Sequence, residues 1–112
     1  MLPKENRLKR KKDFGRVFKE GKGFKEDFFI LKFISNNLKQ SRFGIIISQK
    51  ISKKATLRNK IKRRISALLR IRLPKIKKGI DVVLVALPGL ETQDFGEIEK
   101  TINKLFEKAK IV

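Results

Sequence analysis

Residues 80–86 read Ile-Asp-Val-Val-Leu-Val-Ala, with a single polar side chain among seven. A strand with one wet face alternates apolar and polar residues, so a near-continuous apolar run belongs to a strand buried within a sheet. Lys77-Lys78-Gly79 turns the chain into this run and Pro88-Gly89 breaks it. Such a strand needs partners. Residues 28–34 are rich in β-formers and alternate, with Phe29, Leu31 and Phe33 on one face and Ile30, Lys32 and Ile34 on the other. Ser35-Asn36-Asn37 is turn chemistry, and a second strand follows over 43–48, so the two are expected to pair as a hairpin. A weaker strand signal lies at 23–25. A helical pattern between 48 and 80 makes the last strand the end of a βαβ unit, central in the sheet and parallel to its partner.

That helical pattern runs from Ala55 to Arg72. Leu57, Ile61, Ile65 and Leu68 recur at helical spacing, and Leu69 and Ile71 widen the stripe. At about 100° per residue, Asn59, Arg63, Ser66 and Arg70 fall on the opposite side. Arg58 and Lys62 flank one edge of the stripe, Lys60 and Arg64 the other. Thr56 is read as the N-cap, and Pro74 ends the helix because the residue before a proline avoids the α region. The helix contains no acid. Like charges at i,i+4 repel, and a solvated helix ordinarily mixes both signs. This one is suited to dock on a core and hold a basic face outward.

The same bias extends beyond the helix. No Asp or Glu occurs between Asp27 and Asp81, an interval holding sixteen Lys and Arg, whereas from Asp81 onward six acids face four bases. The net charge of +19 on 112 residues is thus a patch, and a polyanion that neutralises it is its simplest explanation. A hydrophobic content of 40% argues against disorder. No apolar run approaches the ~20 residues of a membrane span, and the basic N-terminus lacks the apolar segment of a secretory signal. A cytoplasmic protein is expected. Surface attachment to a membrane is not, because the helix has no Trp and its apolar stripe is needed by the core.

Residues 1–12 are polar and basic with no periodicity, and 1–9 are read as a flexible arm. Phe14, Val17 and Phe18 share a helical face that Gly21 would end as a C′ residue. Phe14 and Phe18 at i,i+4 read as core contacts from the pattern alone. Stacking on nucleotides is the competing reading, given Lys11, Lys12, Arg16, Lys19 and Lys22 around them. Asp94 followed by Glu97 resembles a capping box, opening a helix whose core face is Phe95, Ile98, Ile102, Leu105 and Phe106. The whole is expected to be one nucleic-acid-binding domain over 1–112, an α+β fold (an α/β sandwich). It would have a single mixed sheet packed by helices, in the order α–β–β(–β)–α–β–α.

With neither His nor Cys, the commonest acid–base group and the thiolate ligands are missing. A nucleophile–base pair would have to come from Ser, Thr, Lys or carboxylates. The acids are scattered, no carboxylate cluster suits a two-metal nuclease, and neither a glycine-rich phosphate loop nor zinc-ligand spacing is present. No catalytic residue, metal ligand, cofactor or small-molecule substrate is expected.

The run Arg42-Phe-Gly-Ile-Ile-Ile-Ser-Gln-Lys-Ile-Ser-Lys-Lys-Ala-Thr-Leu-Arg-Asn-Lys-Ile-Lys-Arg-Arg64 resembles the protein subunit of bacterial ribonuclease P. It is similar to that family's strand, its Ser-Lys-Lys element and its signature Arg-Asn-Arg helix, here Arg58-Asn59-Lys60 followed by Lys62-Arg63. Asp13-Phe14, Val17-Phe18, Gly21, the strand Asp81 to Ala86 and Pro88-Gly89 extend the match over nearly the whole chain. The order and spacing of these pieces carry it.

The resemblance implies that the single domain over 1–112 is RNA-binding. It implies a ribosomal-protein-S5-domain-2-like fold with a left-handed βαβ crossover, an exception to a strong rule of chain handedness. It implies a noncatalytic subunit that pairs with a large catalytic RNA, the ribonuclease P RNA. That particle removes the 5′ leader of precursor tRNA endonucleolytically, with Mg²⁺ required by the RNA-containing holoenzyme. Arg58, Asn59, Lys60, Lys62 and Arg63 would face the catalytic RNA. Phe14, Phe18, Ile30 and Lys32 would line a cleft for the leader, with Lys50 at its rim. Three positions depart from the family pattern. Lys60 replaces an arginine and loses its bidentate fork, Gln49 stands where a lysine is usual, and Lys32 where an aromatic is common. A ribosomal or RNA-chaperone protein without a cleavage role is the alternative on composition, and a stand-alone nuclease a more distant one.

Overall fold

The structure, a computed structural model, describes residues 2–112. Its central strand is β4 (Ile80–Ala86), in which every residue but Val85 is buried. β4 pairs in parallel with β3 (Arg42–Ile47) and antiparallel with β2 (Phe29–Ser35), and β1 (Lys22–Glu26) lies outside β2, giving the order β1-β2-β4-β3. The last strand is therefore central and parallel to its βαβ partner, as its composition requires. The expected hairpin between β2 and β3 does not form. β4 lies between them, because a strand apolar on both faces is stabilised most where it has a neighbour on each side. The loop after β2 crosses the end of β4 instead, tied by Asn36 N–H to the Gly79 carbonyl at 2.9 Å and by the Ser41 hydroxyl to the Lys77 carbonyl. The hairpin is β1–β2, turning at Asp27 with φ 49°. Its first strand gave only a weak signal because it is a largely exposed edge.

Three helices complete the fold. α2 (Ala55–Arg72) and α3 (Phe95–Ala109) cover one face of the sheet, where Phe29, Leu31, Phe43, Ile45, Val82 and Leu84 meet Ile65, Leu68, Leu69, Ile102, Leu105 and Phe106. α1 (Lys11–Glu20) lies on the other face, where the buried cluster is only Leu8, Val17 and Val83. Asp94 caps α3, its carboxylate accepting from Glu97 N–H at 2.9 Å, as the capping pattern predicts.

Residues 2–9 do not form an arm. Leu2 and Leu8 are buried, Leu8 N–H donates to the Phe43 carbonyl at 2.9 Å, and Asn6 Nδ2 donates to the Ser41 carbonyl at 2.7 Å. The free edge of β3 has unpaired backbone groups, and this segment satisfies one of them while its two leucines leave water. Met1 lies outside the described residues.

Several side chains depart from the simple helical wheel. Thr56 is not the N-cap; that position is Lys54, without a side-chain cap. Ser66 is buried although the wheel puts it opposite the core, because the N-terminal segment and β3 close over that edge of α2. Ile71 is 74% exposed, and Phe95 is 39% exposed rather than in the core. Gly21 ends α1 in extended backbone, φ −76°, not as a left-handed C′ residue. It must be glycine because a Cβ there would collide with the Val17 carbonyl oxygen.

One buried charge fixes how α1, β3 and β4 meet. Asp81 is 1% exposed, and Arg42 holds it with both arms of the guanidinium, Nε to Oδ1 at 2.8 Å and Nη2 to Oδ2 at 2.7 Å. Asn36 Nδ2 donates to the same carboxylate at 2.9 Å, and Arg42 Nη1 reaches Asp13 of α1 at 3.5 Å. The hydrogen bond to Asp81 raises the Arg42 pKa further above its already high ordinary value. The guanidinium's share of stability is therefore lost only as pH rises through that raised value, far above neutrality.

Candidate nucleic-acid interface

Strand register shows what α1 leaves uncovered. Side chains opposite one another across a ladder share a face. Lys25, Ile30, Val85 and Ile46 form one row across all four strands, and Gly23, Lys32, Val83 and Gly44 form the next. α1 lies over the second row. Val17 packs on Val83, and the Phe14 ring sits so close to Gly44 that any Cβ there would collide with it. The first row has no helix over it, and Ile30, Val85 and Ile46 are only partly buried.

The result is a cleft. Its floor is Ile30, Val85 and Ile46, and its helical wall carries Phe14 and Phe18, the latter 40% exposed. Lys32 closes the corner, donating from Nζ to the Phe18 carbonyl at 3.0 Å with its ammonium 5.9 Å from the Phe18 ring centroid. A lysine at the last turn of a helix is favoured by the helix dipole, so this charge is pinned at the lip. Lys25 stands at the β1 end of the row, and the exposed Lys50 follows the opposite end of β3. The structure thus brings Phe14, Phe18, Ile30 and Lys32 together, with Lys50 just past the sheet end. Ile46, Val85 and Lys25 were missed as cleft residues. Alternation within each strand was visible, but only the register across strands puts them in one row.

The basic helix is less uniform than its wheel. Asn59, Lys62 and Arg63, with Thr56 and Ser66, line one shallow concavity. Arg58 folds back, its guanidinium donating to the Ser52 carbonyl at 2.7 Å. Lys60 faces a different groove with Arg64, against the 90–93 turn. The five signature residues therefore share a helix and not a face. Among the described residues, Lys60, Lys62 and Arg63 make no ion pair, whereas Arg72 at the end of α2 pairs with Glu99 of α3, and Lys100 and Lys108 of α3 pair with Glu97 and Glu26.

Also among the described residues, no group of three or more Asp, Glu, His or Cys could hold a metal ion, and no helix is long and apolar enough to cross a membrane.

The chain's relatives agree with one another. The family model described as Ribonuclease P matches residues 2–110. A ribonuclease P protein component from Synechocystis is 38% identical over 112 residues, covering 99% of this chain and 90% of its own. One from Dictyoglomus turgidum is 35% identical, covering 99% and 94%. Among solved structures, the RNase P protein of Thermotoga maritima superposes with a TM-score of 0.82 at 34% identity, covering 91% of this chain and 96% of that one. A Staphylococcus aureus RNase P protein mutant with defective mRNA degradation activity gives 0.91 at 27%, covering 97% and 92%.

Proposed function

The chain belongs to the Ribonuclease P protein family, and on that premise we propose that its two surfaces divide the RNA of the particle between them. As a family member it is a subunit of an endoribonuclease complex for tRNA processing, partnered by the ribonuclease P RNA. In our reading, α2 binds that RNA through Asn59, Lys62 and Arg63, with Lys60 and Arg58 at its margins. The cleft holds the single-stranded 5′ leader of precursor tRNA, bases against Phe14, Phe18 and the Ile30–Val85–Ile46 floor. Lys25, Lys32 and Lys50 meet the leader phosphates. Cleavage is the work of the RNA with Mg²⁺, in the cytoplasm, and the protein adds affinity and position.

The observation that carries this reading is the uncovered apolar row beside two aromatics and bounded by lysines. Single-stranded nucleic acid is held by such combinations, stacking on apolar and aromatic side chains while cations track the backbone. The chain has no Cys, so Lys25→Cys can carry one photocrosslinker at the cleft mouth. In reconstituted holoenzyme it should crosslink to the leader of precursor tRNA and leave mature tRNA unlabelled. Equal labelling of the two would put the tRNA body there and end the leader assignment. Protein incubated with precursor tRNA and Mg²⁺ but no catalytic RNA should cut nothing.

A further inference from the structure

The groove faced by Lys60 and Arg64 is not part of the leader cleft, which lies on the other side of the sheet, nor of the Asn59–Arg63 concavity. It runs between α2 and the turn before α3, with Leu57, Ile61, Ile65, Leu90 and Ile98 as an apolar bed. Its volume is about 220 Å³, below the roughly 300–1,000 Å³ of a pocket for a drug-sized ligand and suited to one planar ring system. The exposed Phe95 stands beside it, the Arg64 guanidinium 5.8 Å above its ring. Gln93 is the one neutral amide on the rim, and Glu91 there is already engaged, both its carboxylate oxygens accepting from Gly89 N–H at 3.0 and 3.2 Å.

Three features point to the occupant. The bed is apolar, the cations Lys60 and Arg64 stand on its rim against the single acid Glu91, and the groove flanks the same helix as the Asn59–Arg63 face. We propose that it receives the base of one unpaired nucleotide from the catalytic RNA, an inference that rests on the reading of α2 as that RNA's binding helix. The base would lie on Leu57, Ile61 and Leu90, the Phe95–Arg64 pair would flank it, and Lys60 and Arg64 would neutralise the adjoining phosphates. The Gln93 amide, which can both donate and accept, is placed to read the base edge. On this account Lys60 serves as a point charge at a groove mouth. That removes any need for the planar fork the family's arginine would supply there.

The chain contains no Trp, so Phe95→Trp provides a single fluorophore beside the groove and keeps an aromatic ring under Arg64. Titrating the full-length ribonuclease P RNA should quench it in step with binding, and a duplex RNA of the same length should not. Phe95→Ala and Arg64→Ala remove exposed side chains and should leave thermal unfolding unchanged while weakening RNA binding about tenfold each. Arg63→Ala separates the two possible failures. If Arg63→Ala weakens binding while Phe95→Ala and Arg64→Ala do not, and the Trp emission is unmoved, the groove is empty in the complex and this inference alone falls. If all three variants bind like the parent, the assignment of α2 falls with it.

Discussion

One face of the sheet is covered by two helices until Phe29, Leu31, Val82 and Leu84 are at most 1% exposed, while the other receives α1 alone and leaves Ile30, Val85 and Ile46 partly open. Apart from Asp81, the central strand β4 is apolar on both faces, so its hydrophobicity does not separate the stabilising surface from the binding one. Coverage does. A 112-residue domain has few apolar residues to spare, and a row left half-wet forgoes part of its burial energy in the free protein, which a ligand covering it can recover. The charges divide the same way. Lys60, Lys62 and Arg63 of the acid-free α2 make no ion pair among the described residues. By contrast α3, with acids of its own, neutralises cations within the chain, Arg72 at the end of α2 included.

The sharpest test of this contrast is a matched pair of cavities. Ile65→Ala on the closed face should cost about 2–5 kcal/mol in urea unfolding, the range for a fully buried aliphatic. Ile46→Ala on the open face should cost clearly less, since water already reaches it, and should weaken precursor tRNA binding. Equal costs would mean that α1 closes its face as completely as α2 and α3 close theirs.

Arg42→Ala should come next in size. It strands the Asp81 carboxylate, and removing one partner of a buried pair costs about 3–5 kcal/mol; the part-exposed Arg42 argues for the lower end. Asp13 loses its anchor too, so α1 should loosen over the sheet. Hydrogen exchange should show α1 amides opening sooner while those of α3 follow only the global loss.

The closed face was legible because burial there follows periodicity. Residues 80–86 announce a central strand, and the stripe through Ile65 and Leu68 announces the helix above it. What escaped was everything set by meeting surfaces. Ser66 is buried by the N-terminal segment and Ile71 is bare, although a helical wheel assigns them the reverse. The false hairpin has the same origin: composition says that 28–34 and 43–48 are strands and is silent on what lies between them. The floor of the cleft depends on that missing order, so Phe14, Phe18 and Lys32 came from the family likeness, whereas Val85 and Ile46 needed the register.

On α2, Asn59→Ala and Arg63→Ala should leave stability within about 0.5 kcal/mol, as exposed surface changes do. Each should weaken catalytic RNA binding by about 1.5–3 kcal/mol, the range for hydrogen bonds to charged groups. Arg63→Ala should also flatten the salt dependence by about one unit of slope, from the roughly −5 to −9 expected when six to ten phosphates are neutralised. A parent slope near −1 would remove α2 as the polyanion surface.

The smallest effects belong to the cleft's own side chains and separate it from α2. Phe18→Ala should weaken precursor tRNA binding to the holoenzyme by about 1–3 kcal/mol, the value of a base–aromatic contact, with mature tRNA hardly affected. Lys32→Ala should do the same more weakly, because its ammonium already has the Phe18 carbonyl as a partner and removing it deletes one phosphate contact and no stacking surface. Its loss should therefore fade as salt rises, while that of Phe18→Ala persists. Phe18 is more exposed than Val17, so its truncation should leave the melting temperature nearly in place, and a large drop there would assign it to the core. The deciding quantity is the ratio of precursor to mature tRNA affinity. If it is the same in the parent and in both variants, the half-open face is an unfinished core and not a binding surface.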